Sequence, residues 1–211
     1  MMTENTTKSA GCPDAVVDAA LFLAAERGWN GISLADIAAE AGVTLADMRA
    51  VAESKAAILK AFLARLDDSL WSGALPAADE TPRDRLFDVI MRRFDVMQEQ
   101  RAGVKAIFRG LLADPLLLLM SGPHLLTTSA RMLEVSGISA SGPAGALKVK
   151  GLTAIYLAVL RVWLSDDSPD MGRTMAALDR FLRGAESIAG LAWRVPGTAR
   201  SAGADPGNNP A

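Results

Sequence analysis

The chain has 211 residues, half of them apolar, with a single cysteine and a formal net charge of −2. That length buries a full core unaided, while one cysteine excludes an intrachain disulfide framework and a cysteine-built metal site. Slight net acidity gives no global pull toward nucleic acid, so any such contact needs a local patch.

The opening residues, MMTENTTKSAGC, include Glu4 and no apolar run, unlike a secretory leader. No stretch reaches the roughly 18 uninterrupted apolar residues of a membrane span. A cytoplasmic protein without stable membrane insertion is expected. Aromatics make up only 5% and β-branched runs are absent, so the fold class expected is all-α.

After a flexible arm over 1–12, Pro13 suits the first turn of a helix whose apolar positions, Val16, Val17, Ala20, Leu21 and Ala24, run to a stop at Gly28. Trp29 and Ile32 are expected to pack beneath it. Ser33-x-x-Asp36 and Thr44-x-x-Asp47 each read as a capping box opening a short helix, with Gly42 supplying the turn between them. Two short helices so joined form a helix-turn-helix. Ser54 starts a longer helix marked by Ile58, Phe62 and Leu66 and running toward Trp71 and Gly73.

The stretch GALPAADETP has no helical period and sets the expected boundary between a unit over 13–72 and a body over 82–194. Thr81-Pro82 opens the body, and Leu86, Phe87, Ile90, Phe94 and Met97 form a buried stripe. Val104, Ile107, Phe108 and Leu111 supply the next helix. Asp114-Pro115 starts a very apolar segment in which Gly122-Pro123 is expected to kink or break the helix. A small-residue loop is expected over 137–145, then a long apolar helix through Leu152, Tyr156 and Trp163. Ser168 and Pro169 are expected to cap and open the last helix, and the tail over 195–211 is expected to be disordered.

The N-terminal sixty or so residues resemble the DNA-binding domain of TetR-family regulators, through DAALFLAAERGWNGISLADIAAEAGVT and the following SKAAIL. The resemblance implies about nine helices, a helix-turn-helix unit and a helical body that binds ligand and dimerises. It assigns DNA contact to Thr44, Leu45, Asp47, Met48, Arg49 and Lys55. The recognition helix departs from the family pattern at Leu45, Asp47, Arg49 and Ala52. Residues 1–72 also carry six bases (Lys8, Arg27, Arg49, Lys55, Lys60, Arg65) against ten acids (Glu4, Asp14, Asp18, Glu26, Asp36, Glu40, Asp47, Glu53, Asp67, Asp68), a balance of −4. Phosphate neutralisation supplies most nonspecific affinity, so this balance opposes it.

From Leu160 to Leu182, LRVWLSDDSPDMGRTMAALDRFL resembles the end of a lipid-binding accessory family of ubiquinone biosynthesis, TetR-like in fold but without DNA binding. The matching residues are Asp166, Ser168, Pro169, Asp170, Thr174, Leu178 and Asp179.

No catalytic arrangement is legible around His124, the one histidine, and no enzyme activity, cofactor or metal site is expected. Asp166, Asp167 and Asp170 lack the spacing of a calcium loop and read as helix caps. The body's interior is the candidate site for a hydrophobic small molecule or lipid, lined by Phe87, Met91, Phe94, Phe108, Leu112, Met120, His124, Leu125, Met132 and Tyr156. A homodimer face is expected on Leu152, Tyr156, Val159, Trp163, Met175, Leu178 and Leu182. The function expected is a regulator of operator DNA under a hydrophobic ligand; the alternative is a lipid- or quinone-binding accessory protein with a vestigial helix-turn-helix, and a dimeric adaptor is a third reading.

Overall fold

The computed structural model describes residues 12–72, 80–112 and 115–188, the side chains of 12, 72, 112–121 and 188 excepted. The described residues form nine α-helices and no strand: α1 (Cys12–Arg27), α2 (Leu34–Glu40), α3 (Leu45–Val51), α4 (Lys55–Ser72), α5 (Pro82–Glu99), α6 (Arg101–Leu112), α7 (Pro115–Val135), α8 (Gly142–Ser165) and α9 (Gly172–Ile188). A single 3-10 turn, Trp29–Gly31, follows α1. The arm, the tail and most of the GALPAADETP stretch lie outside the described residues.

Apolar periodicity turns into packing as expected of amphipathic helices. One continuous core runs from Val16 and Leu21 of α1 through Ile58, Phe62 and Leu66 of α4 to Leu178 and Leu182 of α9. Helix α4 is central: it packs on α1, α5 and α7. Helix α6 lies along α1, while α8 pairs with α7 and α9. Arg101 and Lys105 of α6 reach the α8–α9 turn, where Arg101 donates to the carbonyls of Trp163 (3.2 Å) and Asp166, and Lys105 pairs with Asp167 at 2.9 Å.

Three local expectations are corrected. Helix α7 continues unbroken through Pro123, since its packing against α4, α5, α6 and α8 holds a turn that a lost backbone donor weakens. The loop after α7 ends sooner than 145: Gly142-Pro143 opens α8, proline's fixed φ suiting the first helical turn. Ser168 and Pro169 do not open the last helix. The chain turns once more through Met171 (φ 52°), and the distant Asp166 accepts from the Thr174 amide at 2.8 Å. Asp166 has no solvent exposure and also accepts from the Thr174 and Ser168 hydroxyls, at 2.7 and 2.5 Å. Burial works to raise its pKa, and these hydrogen bonds overcome that, holding the carboxylate well below its ordinary range.

Candidate functional site

The helix-turn-helix is built by two matching devices. Ser33 accepts from the Asp36 amide at 3.2 Å while Asp36 accepts from the Ser33 amide at 2.8 Å. Thr44 and Asp47 repeat this at 3.1 and 3.4 Å. Each box satisfies helix-start amides that α2 and α3 otherwise leave without partners. Between them Gly42 takes φ 65°, a conformation glycine reaches without a Cβ penalty. Its amide donates to Ala39 and that of Val43 donates to Ala38, closing a Schellman turn. The result presents one face of α3 outward, with Thr44, Leu45, Ala46, Asp47, Arg49 and Ala50 exposed.

Two expected DNA contacts do not lie on that face. Met48 is 1% exposed, because the apolar period of α3 turns it under the unit against α1 and α2. Lys55 points inward: its ammonium donates to the carbonyls of Trp29 and Ile32, the latter at 3.1 Å, and lies 4.7 Å from the Trp29 ring centroid. Burial lowers its pKa. Lys55 therefore ties the start of α4 to the turn after α1, using the charge that a phosphate contact requires.

The fold recurs in solved structures. A TetR transcriptional regulator from Nitrosomonas europaea ATCC 19718 superposes with a TM-score of 0.71 at 26% identity, over 83% of this chain and 98% of that one. The chain has the TetR-family fold. A second TetR transcriptional regulator, from Rhodococcus sp. RHA1, shares the fold at a TM-score of 0.60 and 16% identity, over 83% of this chain and 96% of that one. No protein-family model matches the sequence, and no curated protein does.

Within this TetR fold the expected body lining divides. Phe94, Met132 and Tyr156 are buried, with Phe94 stacked on Tyr156 at 5.6 Å between centroids and tilted against Trp163 at 6.1 Å. Met91 is 8% exposed, and Phe108 and Leu125 pack at the core's edge. Phe87 turns elsewhere, lining a cleft of about 230 Å³ with Arg83, Asp84, Asp179 and Leu182. Leu112 and Met120 lie outside the described side chains.

A charged cluster sits amid this lining. Asp67 of α4, with 3% of its side chain exposed, accepts from Arg93 of α5 at 2.5 Å and from Arg131 of α7 at 2.8 Å. The Thr128 hydroxyl lies 3.0 and 3.1 Å from its two oxygens. Arg93 also donates to the Tyr156 hydroxyl at 3.0 Å. His124 Nε2 lies 3.5 Å from Asp67 and is buried without a hydrogen-bond partner among the described residues. Burial pushes the imidazole pKa down, Asp67 opposes this, and Arg93, Arg131 and Lys60 add to the lowering. Sequence reasoning missed Asp67, Arg93, Thr128 and Arg131. A signal existed for one of them: Arg93 occupies a helical-spacing position between buried Ile90 and Met97, and a charge in an apolar stripe needs a buried counter-charge.

The expected dimer face is corrected. Leu152, Tyr156, Val159, Trp163, Leu178 and Leu182 are all buried within the protomer, and Met175 is half-buried, because α8 and α9 turn these stripes onto α5, α7 and each other. The opposite face of α8 is open, with Leu147 71% and Leu157 43% exposed beside Gly151 and Ala154. The residues matched to the ubiquinone accessory family are engaged locally: Asp166 holds Ser168 and Thr174, and Asp179 pairs with Arg183.

Proposed function

We propose that this TetR-fold chain is a homodimeric transcription regulator whose α3 helices bind operator DNA and whose body answers to a hydrophobic small molecule or lipid. The observation that carries this reading is the exposed face of α3, held by two capping boxes and a Schellman turn on a fold shared with a transcriptional regulator at 26% identity. On that face Arg49 is the one basic side chain between Thr44 and Ser54, with Leu45, Ala46 and Ala50 offering small apolar contacts suited to thymine methyl groups. The reader thus relies more on shape and apolar contact than on phosphate neutralisation. Its affinity is expected to fall only shallowly with salt, since each neutralised phosphate contributes a slope of about −0.9.

Titrating the full-length protein against its own upstream DNA at two salt concentrations tests this. Sequence-specific binding with a shallow slope supports the reading, and no preference over random DNA at low salt sinks it. Asp47→Asn is expected to tighten binding, because it removes a charge beside the groove while keeping an acceptor for the cap. Arg49→Ala is expected to weaken it by about 1–3 kcal/mol.

One observation favours a second reading. The inward commitment of Lys55 leaves an acidic module with little charge to offer a phosphate, as befits a lipid- or quinone-binding protein whose helix-turn-helix no longer reads DNA. Native mass spectrometry separates the two: a co-purifying isoprenoid or lipid together with no specific DNA shift selects the second.

The dimer is assigned to the open face of α8, where Leu147, Gly151, Ala154 and Leu157 lie at helical spacing opposite the buried stripe. Small residues there allow a second copy to approach closely, and apolar burial between copies supplies the attraction.

A further inference from the structure

We propose that the cleft between the end of α1, the Trp29–Gly31 turn and α6 binds a hydroxyl-bearing phosphate ester of the sugar phosphate class, with Arg27 and Arg109 holding the phosphate. The site lies apart from the body's interior and does not depend on whether α3 reads DNA.

The cleft measures about 430 Å³, within the range of about 300–1,000 Å³ usual for small-molecule sites. It stays open because its walls are small residues, Ala24, Ala25 and Gly28 on one side and Ala106 and Gly110 on the other. An added Cβ at Gly28 or Gly31 would meet nothing within 4 Å, so the chain there has room for an incoming group.

The charged side chains lining the cleft are two arginines, and none is acidic. Arg109 is exposed and has no ion pair or hydrogen bond among the described residues. Arg27, 58% exposed, pairs with Asp36 at 3.6 Å, while Asp36 also accepts from the Ser33 amide and hydroxyl at 2.8 and 2.5 Å. A surface pair of that length contributes little, so both guanidinium groups are available to a ligand. Each guanidinium presents a planar fork of donors that matches phosphate oxygens, and two of them suit a dianion better than a single carboxylate. Their charge of +2 exceeds the roughly −0.5 that each of the adjoining ends of α1 and α6 presents.

The same helix end selects hydroxyl groups on the ligand. The last carbonyls of a helix lack intrahelical donors. In α1 the Ala24 carbonyl takes the Gly28 amide, while Ala25 and Arg27, later in that turn, line the cleft with carbonyls suited to a ligand hydroxyl. The exposed Asn30, also on the lining, offers a side-chain amide that both donates and accepts. A bound ester therefore bridges α1 and its turn to α6, which otherwise meet there through Trp29 against Gly110.

The test uses the full-length protein at pH 7.5 and fixed ionic strength, where a phosphate monoester is close to dianionic. Glucose 6-phosphate and ribose 5-phosphate are compared with glucose and with inorganic phosphate by calorimetry, and hydrogen exchange locates the bound ester. The esters are expected to bind about tenfold or more tighter than glucose and tighter than inorganic phosphate, and to slow exchange at the end of α1 and in the last turns of α6. Arg109→Gln is expected to weaken ester binding about tenfold or more, and Arg109→Lys, which keeps the charge and loses the fork, to weaken it less. Because Arg109 holds no partner, the melting temperature of ligand-free Arg109→Gln is expected to match that of the parent, so lost binding there reports the site and not the fold. Binding of neither ester, equal binding of glucose or of inorganic phosphate, full affinity in Arg109→Gln, or protection confined to other helices would each overturn the proposal. None of these readouts involves DNA, so they stand or fall separately from the regulator reading.

Discussion

At the scale of single residues, buried polar groups do the positioning. Asp166 is fully buried yet ionised because its two oxygens satisfy the Thr174 amide and two hydroxyls, replacing the hydration it has lost. Asp166→Ala leaves those donors unmet and is expected to lower stability by about 1–3 kcal/mol in urea unfolding at neutral pH. With the folded pKa depressed, the stabilisation from Asp166 is present above the unfolded value of about 4 and is lost as pH falls through the folded one. The gap between wild type and Asp166→Asn should accordingly narrow in unfolding curves recorded at progressively lower pH. His124 obeys the same linkage as a base. Its folded pKa is lowered, so the unfolded chain binds the proton more readily, and stability is expected to fall as pH drops below about 6.5. Melting temperature followed between pH 8 and pH 5 should show this decline, and His124→Gln should flatten it.

At the scale of elements, α6 acts as a close-fitting strut between α1 with its Trp29–Gly31 turn and the α8–α9 turn. Gly103 and Gly110, seven residues apart on one face of α6, let it approach without side chains: a Cβ at Gly103 would come within 2.3 Å of the Leu21 carbonyl oxygen, and one at Gly110 within 2.8 Å of the Trp29 ring. An alanine in a helix normally gains about 1 kcal/mol over glycine. At Gly103 the obstacle is backbone, which cannot swing aside, so Gly103→Ala is expected to destabilise by about 1–3 kcal/mol net in chemical denaturation. Gly110 meets a side chain, but Trp29 is buried and its carbonyl is held by Lys55 at the start of α4. Trp29 and Lys55 thus join α6 to the start of α4.

At the scale of the whole molecule, the proposed dimer uses the open α8 face, and Ala154→Glu, a charge placed at its centre, is expected to shift the dimer to monomer in light scattering without altering the protomer's helical content. The helix-turn-helix was legible in the chain from end to end, since caps, Gly42 and apolar period act over three or four residues and need no distant partner. The exposed face of α3 was legible in part: Thr44, Leu45, Asp47 and Arg49 are exposed, whereas Met48 and Lys55 are turned inward by contacts with α1 and the Trp29–Gly31 turn. The body site was less so. The aromatic lining announced itself by period, but Asp67 and Arg93 are 26 residues apart and look like ordinary surface charges until α4 and α5 pack. The apolar stripes of α8 and α9 are real, yet periodicity reports only that a face is covered, and here it is covered by the same chain. The sequence by itself determined the helices, the caps of α2 and α3 and the turn between them, because those depend on local hydrogen bonds and φ. Only the tertiary structure decided which charges are buried, which face of α8 is left for a partner, and where Lys55 spends its proton donors, because each of these depends on which helices come to lie together.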